Sequence, residues 1–508
     1  MAGTIRTKRF LQNLVTSVGG QLLSILLQFV SRTVFIYVLG VQYLGISGLF
    51  SNIISILNVT ELGLGAAIVY SLYEPLANHD QKKICSVMKL LRRAYFFVGL
   101  IILIAGVALI PFLPYLMKET TDLVNIPLVF MLYVLQSVSS YWFYAYKSLI
   151  FRADQKLYMT NLITYLANVI GVAAQIIILL TTSSFIAYTV VGISINILGN
   201  IMIARKADKH YSYLKEKADP LPKEERKEIF KNVVGTSVFK LGSVSVRSTD
   251  NIIISAFIST IAVGLYDNYR LITNTLIMFL RMVFGSATAG IGNFVIMEDR
   301  KQSEFLFRVM CVADFWVCGF CTVSLWVLIN PFISLLWGEN FTFGWFLVAI
   351  IVFDFMMDGF QSICIIYKDA CGLFWKGKYR PVATAISNLV ISIVLVKPIG
   401  IMGVILGTVI SRIITSWWYE PWLIYKNVFK ESCMRYFKRY MLACVMVLCN
   451  AILVTWIAIP FSEPSLINLA IRVVFCLVIP NVSAFLLVHK TEEYKYLLDM
   501  AKGFLKRM

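Results

Sequence analysis

Stretches of about 20 consecutive apolar residues, the length a helix needs to cross the hydrocarbon of a bilayer, recur from one end of the chain to the other. Fourteen can be read: 10–39, 44–70, 94–117, 126–150, 158–181, 185–204, 232–258, 264–296, 305–330, 343–367, 379–397, 403–424, 440–460 and 468–489. Backbone polar groups in lipid must bond within their own segment, which leaves helices as the form for such spans. The expected fold class is therefore an all-α polytopic membrane protein with about 14 transmembrane helices. Composition agrees: 59% of residues are hydrophobic and 15% charged, against about a quarter charged in soluble domains. Disorder, collagen and a disulfide scaffold are excluded on the same grounds. The first apolar run follows Arg6, Lys8 and Arg9 as a signal peptide would, but it is too long and lacks a small-residue cleavage site, so it stays as span one.

Lys and Arg by loop set the orientation. With the N-terminus inside, the inner segments, together with Arg308 and Arg380 at the inner ends of spans nine and eleven, hold 36 of the 46 basic residues, the outer side two (Lys118, and Lys397 at the outer end of span eleven), and the spans the other eight. Both termini are thus expected in the cytoplasm. The net charge of +18 is mostly topology, and no nucleic-acid partner is needed to explain it. The longest inner loop, 205–231, is a charged connector, and the outer loops are short turns, the longest about 331–342. Neither offers room for catalysis, so the chain reads as a transporter, not an enzyme. Gly372 to Lys378 has phosphate-loop spacing, but Tyr379 stands where Ser or Thr should hold magnesium, and the match is read as chance. The ten cysteines include one CxxC, Cys318 to Cys321, with no second pair, and read as buried thiols. Three scattered histidines add nothing to a metal site. No cofactor is expected beyond H+ or Na+ as a coupling ion.

Loop 205–231 splits the first twelve spans into six and six. An even number of spans returns the chain to the same side, so the lobes would be parallel repeats. A weak echo supports this: Asn13 stands as far ahead of Gly45 as Asn232 does of Gly264, within similar surroundings. The expected organisation is a first lobe over 1–204, the linker 205–231, a second lobe over 232–427, and the last two spans with a tail over 428–508.

A polar side chain in lipid is costly unless it faces protein or water, so polar residues at helical spacing mark a cavity wall. Span one carries Asn13, Ser17, Gln21, Ser24, Gln28 and Arg32 on one face, and span two carries Ser47, Ser51, Ser55, Asn58 and Glu61. Span seven aligns Lys240, Ser243, Arg247 and Asp250; span eight aligns Asp267, Arg270, Asn274 and Arg281. Asp354, Asp358 and Gln361 line span ten, and Arg412 sits mid-span on twelve. Guanidinium forks suit a diphosphate. Arg32, Lys240, Arg247, Arg270, Arg281 and Arg412, with Gln28, are the candidate headgroup ligands. The alternative is structural pairing: Arg247 with Asp250, Arg270 with Asp267, Arg412 with Glu61 or an aspartate of span ten. The carboxylates Glu61, Asp250, Asp314, Asp354 and Asp358 are candidates for ion coupling, best of all Asp354 and Asp358, one turn apart. Lys147 and Arg472 are expected to snorkel. Spans three, thirteen and fourteen read as lipid-facing, and Gly403 and Gly407 as a close-packing step.

Several stretches now point to a family. The basic start, Arg32-Thr-Val-Phe-Ile-Tyr-Val-Leu-Gly40, Tyr43-Leu-Gly45, Thr60-Glu61-Leu-Gly63-Leu-Gly65, Tyr70-Ser-Leu-Tyr73-Glu-Pro and Phe151-Arg-Ala-Asp154-Gln-Lys-Leu-Tyr158 resemble the polysaccharide transporter (Wzx-type flippase) family. That family belongs to the multidrug/oligosaccharidyl-lipid/polysaccharide exporter superfamily. The resemblance implies two six-helix lobes around a V-shaped cavity in a bacterial plasma membrane. They would rock to move an undecaprenyl-diphosphate-linked oligosaccharide to the outer leaflet for surface polysaccharide, alongside other polysaccharide-assembly proteins. It also implies headgroup binding by cavity arginines, which suits Arg32, Arg247, Arg270, Arg281 and Arg412; the second lobe departs from a clean repeat, so Arg32 transfers most directly. A membrane potential contributes ~2.3 kcal/mol per charge per 100 mV, which favours outward movement of a diphosphate. Three alternatives remain: a peptidoglycan lipid-precursor flippase, a drug/cation antiporter of the same superfamily, and a membrane polymerase or ligase.

Overall fold

The computed structural model describes residues 2–58, 64–118, 125–216, 219–373, 376–377 and 379–505, with the side chains of 2–15 and 234–247 among those outside the description. The described residues form helices and turns, with no strand. The main helices are α1 (Ala2–Leu39), α2 (Val41–Leu57), α3 (Leu64–Ala77), α4 (Gln81–Leu109), α5 (Ile126–Trp142), α6 (Leu157–Thr182), α7 (Phe185–His210) and α8 (Lys223–Phe257). They continue as α9 (Thr260–Gly285), α10 (Arg300–Trp337), α11 (Trp345–Phe360), α12 (Ser362–Ala370), α13 (Arg380–Ile399), α14 (Ile401–Arg412), α15 (Met434–Ala458), α16 (Leu466–Val488) and α17 (Glu492–Leu505).

Each of the fourteen apolar segments falls on helix among the described residues. Among the described residues ten helices are long and apolar enough to span a bilayer, or eleven when Ile126–Trp142 and Ala145–Ala153, bent by 45°, count as one. The other three segments differ for readable reasons. α8 and α9 carry the charges of spans seven and eight, and span two is shared between α2 and α3 across residues 59–63.

Local chemistry ends the helices where it should. Gly40 (φ 88) and Gly400 (φ 60) sit in backbone regions that disfavour side chains, and each turns one helix into the next. Asp80, Asn125, Ser184 and Asp299 accept from the amides of Lys83, Leu128, Ala187 and Gln302 at the starts of α4, α5, α7 and α10.

The chain divides into two compact units, Met1–Gly264 and Leu265–Met508. In the first, α2 and the opening turn of α9 approach backbone to backbone. A Cβ on Gly45 would overlap the Thr260 carbonyl, and one on Gly264 would lie 2.7 Å from the Val41 carbonyl oxygen. One and the same offset along the chain carries Asn13 to Asn232, Val41 to Thr260 and Gly45 to Gly264. The glycines of the sequence echo therefore meet in a reciprocal contact.

In the second unit α10 is central. Its Trp316 donates to Asn481 of α16 at 2.8 Å and its Trp326 to Thr455 of α15 at 2.9 Å. Spans thirteen and fourteen thus pack one face on α10, while Leu448, Ile452, Trp456, Val474 and Leu477 stay exposed. α17 is tied down by Glu493, which meets Arg308 at 2.9 Å and Arg439 at 2.8 Å. Burial acts to raise the Glu493 pKa. Its own amide and the two guanidiniums outweigh that and hold it below the ordinary value.

Candidate functional site

Three helices of the second unit bring four predicted residues together. Arg281 of α9 donates through Nη2 to both carboxylate oxygens of Asp358 at 3.0 Å. Arg412, at the end of α14, places Nη1 3.1 Å from Asp358 Oδ1 and Nε 3.3 Å from Asp354 Oδ1. Asp354 and Asp358 stand one turn apart on α11, so their carboxylates project from one face. Arg281 is the most open of the four, with 37% of its side chain exposed; the others lie between 14% and 22%. With all four ionised the cluster is neutral. Asp358 occupies, between two guanidiniums, the position an anionic oxygen of a ligand would take. Of the partners weighed for Arg412, the aspartates of span ten are those it meets.

The other predicted residues fall as follows. Arg32 is half-buried and Gln28 exposed, one turn apart on α1. Arg270 is half-buried with its guanidinium 5.7 Å from the Tyr266 ring centre, and Asp250 is buried on α8. Glu61, Lys240 and Arg247 lie outside the described residues and side chains. Asp314 is fully buried on α10, and neither carboxyl oxygen has a hydrogen-bond partner among the described residues. Lys147 and Arg472 do not simply snorkel. Lys147 holds Asp208 at 2.6 Å, and Arg472 donates to the Phe461 carbonyl at 2.9 Å. In each case a partner lay within reach, and a bonded charge is better satisfied than a dangling one.

Two groupings escaped the sequence reading. Lys368 and Glu420, each 1% exposed, pair at 3.0 Å, and Arg380 Nε joins Glu420 at 2.9 Å. Lys368 and Arg380 look like ordinary inner-loop cations in the sequence, and nothing marks Glu420 as their partner. The second is a polar cavity of about 300 Å³ in the first unit, between α5, α6 and α7. Gln136, Thr164, Asn168, Gln175, Asn196 and Asn200 supply its polar walls. Their spacing along α6 and α7 is helical, a signal present in the sequence but carried by uncharged residues in strongly apolar spans.

The architecture has counterparts among solved structures. The lipid II flippase MurJ, in an inward closed conformation, superposes with a TM-score of 0.66 at 14% identity over 94% of this chain and 98% of that one. The chain has the MurJ fold. An inward-facing multidrug-resistance transporter of the MATE family matches with a TM-score of 0.58 at 15% identity, over 77% of this chain and 91% of its own. A transporter of the same MOP superfamily from Pyrococcus furiosus, described as having a binding pocket of reverse polarity, matches at 0.54 and 14%, over 84% and 97%. At these identities the likeness concerns fold. No family model and no curated protein matches the sequence.

Proposed function

We propose that this chain is a flippase of a bacterial plasma membrane that moves polyprenyl-diphosphate-linked oligosaccharide from the inner to the outer leaflet by alternating access. The observation that carries this is the Arg281–Asp358–Arg412 cluster. Two guanidiniums share one carboxylate inside membrane-spanning helices of a chain with a flippase fold. A diphosphate entering the cluster replaces Asp358 as partner of both arginines. A proton taken up by Asp354 or Asp358 frees them further, which couples uptake of H+ to headgroup binding. Arg32, Arg270, Lys240 and Arg247 are assigned to the same role of holding anionic charge, with Gln28 as a polar neighbour. Glu61 and Asp250 join Asp354 and Asp358 as carboxylates for ion coupling.

A cation antiporter needs a net acidic site, and a neutral cluster with two guanidiniums disfavours that reading. The MurJ likeness over nearly the whole chain favours a second flippase reading, in which the cargo is the peptidoglycan lipid precursor. Cells lacking the gene separate the two. Polyprenyl-linked oligosaccharide accumulating on the inner face, with surface polysaccharide lost and cell-wall synthesis intact, is the expected result. Accumulated peptidoglycan precursor with lysis would move the assignment to the second reading, and intermediate piling up outside would reject both in favour of a polymerase or ligase. In the intact protein, Arg412→Ala is expected to cut transport at least tenfold, read as cargo made accessible to an impermeant reagent in proteoliposomes.

A further inference from the structure

We infer that the cavity between α5, α6 and α7 is a subsite for neutral sugar rings, a deepening of the flippase reading on which it rests. Its volume of about 300 Å³ lies at the lower end of small-molecule sites and holds space for roughly ten waters, the scale of a short saccharide. Among the described residues no charged side chain lines it, so it offers a diphosphate no counter-charge. The amides are suited to hydroxyls instead. An amide presents donors and an acceptor side by side, and a sugar hydroxyl both gives and takes a hydrogen bond.

The amides are also held in place. Asn168 donates to Ser24 Oγ of α1 at 3.2 Å, Gln175 to the Tyr188 carbonyl at 3.2 Å, and Asn200 to Asn196 Oδ1 at 3.0 Å. Each of these three donors uses one N–H within the protein, and its second N–H has no partner among the described residues. Gly171 and Gly192, which line the same space, set its walls by close approach: a Cβ on Gly171 would lie 3.0 Å from Ile195 Cγ2 and one on Gly192 2.6 Å from Gln175 Nε2. A purely structural origin for so many amides predicts that they bond one another across a closed interface. That is what α13 does with α14 and the turn that follows it: Asn388 donates to Thr408 Oγ1 at 2.7 Å and Thr384 meets Thr415 at 2.6 Å, with Asn388, Ser392 and Thr408 buried. Between α6 and α7 the polar groups surround a space.

Two measurements on the full-length protein test this. In proteoliposomes, the Asn168→Ala/Asn196→Ala variant is expected to move polyprenyl-diphosphate-linked oligosaccharide at least tenfold more slowly than wild type. Bare polyprenyl diphosphate should move at a rate within twofold of wild type, and Asn168→Gln/Asn196→Gln should recover part of the loss. Equal loss for both lipids, or no loss for either, overturns the sugar subsite. In the second, Asn200→Cys in a chain with Cys449→Ser is labelled with a hydrophilic maleimide. Triacetylchitotriose and maltotriose at millimolar concentration should slow labelling severalfold, and inorganic pyrophosphate should not. Protection by pyrophosphate, or by neither sugar, counts against the subsite. A wild-type protein that moves neither lipid yet shows sugar protection would reject the flippase reading and keep the subsite.

Discussion

Two helix pairs in the molecule, one in each unit, are built from similar materials and end differently. α6 with α7, and α13 with α14, are both antiparallel pairs of apolar helices carrying Asn, Thr and Gly at helical spacing. In the second pair the polar groups find each other. Asn388 and Ser392 are fully buried, and Gly403 and Gly407 bring the backbones so close that a Cβ on Gly407 would overlap Ser392 Oγ and lie 2.8 Å from its amide nitrogen. In the first pair a Cβ on Gly199 would sit 3.4 Å from that of Ala167, an ordinary contact, and the amides border a cavity. The same residue types act as glue where a partner stripe faces them, and as a ligand wall where none does.

The sharpest way to break this comparison is to make one substitution in both places. Gly407→Ala is expected to destabilise the protein by about 2–3 kcal/mol through overpacking. Gly199→Ala, with room for its methyl, should gain up to about 0.5 kcal/mol from helix propensity. Thermal unfolding in detergent reads both, and equal losses would mean the pairs are packed alike. Next comes the amide itself. Asn388→Ala removes a fully buried amide and its bond to Thr408 Oγ1 and is expected to lose about 2 kcal/mol, whereas Asn196→Ala, at an exposed position, should stay within about 0.5 kcal/mol on the same melts. The finest test is the hydroxyl pair. Thr384→Val and Thr415→Val should each lose no more than about 1 kcal/mol, since each hydroxyl also bonds a carbonyl of its own helix, at Arg380 and Ser411, and the double variant should lose less than the sum of the two. Additive losses would show that the two hydroxyls do not act as a pair.

Hydropathy alone made the helices legible, because a segment of about 20 apolar residues leaves few alternatives in lipid. The breaks inside spans were not: the 45° bend after Trp142 falls where Tyr144 takes a left-handed backbone (φ 61), with no glycine or proline there to mark it. The ionic cluster was half legible. Helical spacing put Asp354 and Asp358 on one face and raised their pairing with Arg412, but the added bond from Arg281 depends on how α9 lies against α11. The amide cavity was missed for a related reason. Asn161, Thr164, Asn168 and Gln175 of α6 repeat at steps of three, four and seven, and Thr384, Asn388 and Ser392 of α13 at steps of four. Periodicity shows which face a residue occupies but not whether the facing helix closes on it.

The contact of Gly45 with Thr260, mirrored by Gly264 with Val41, has a further consequence. A contact that maps onto itself under one constant shift along the sequence has the form of an isologous dimer interface carried within a single chain. In a half-length protein pairing with its own copy, one glycine would serve both sides. Here the requirement is written twice, so drift at either position meets the same backbone, and tolerance to change belongs to the pair.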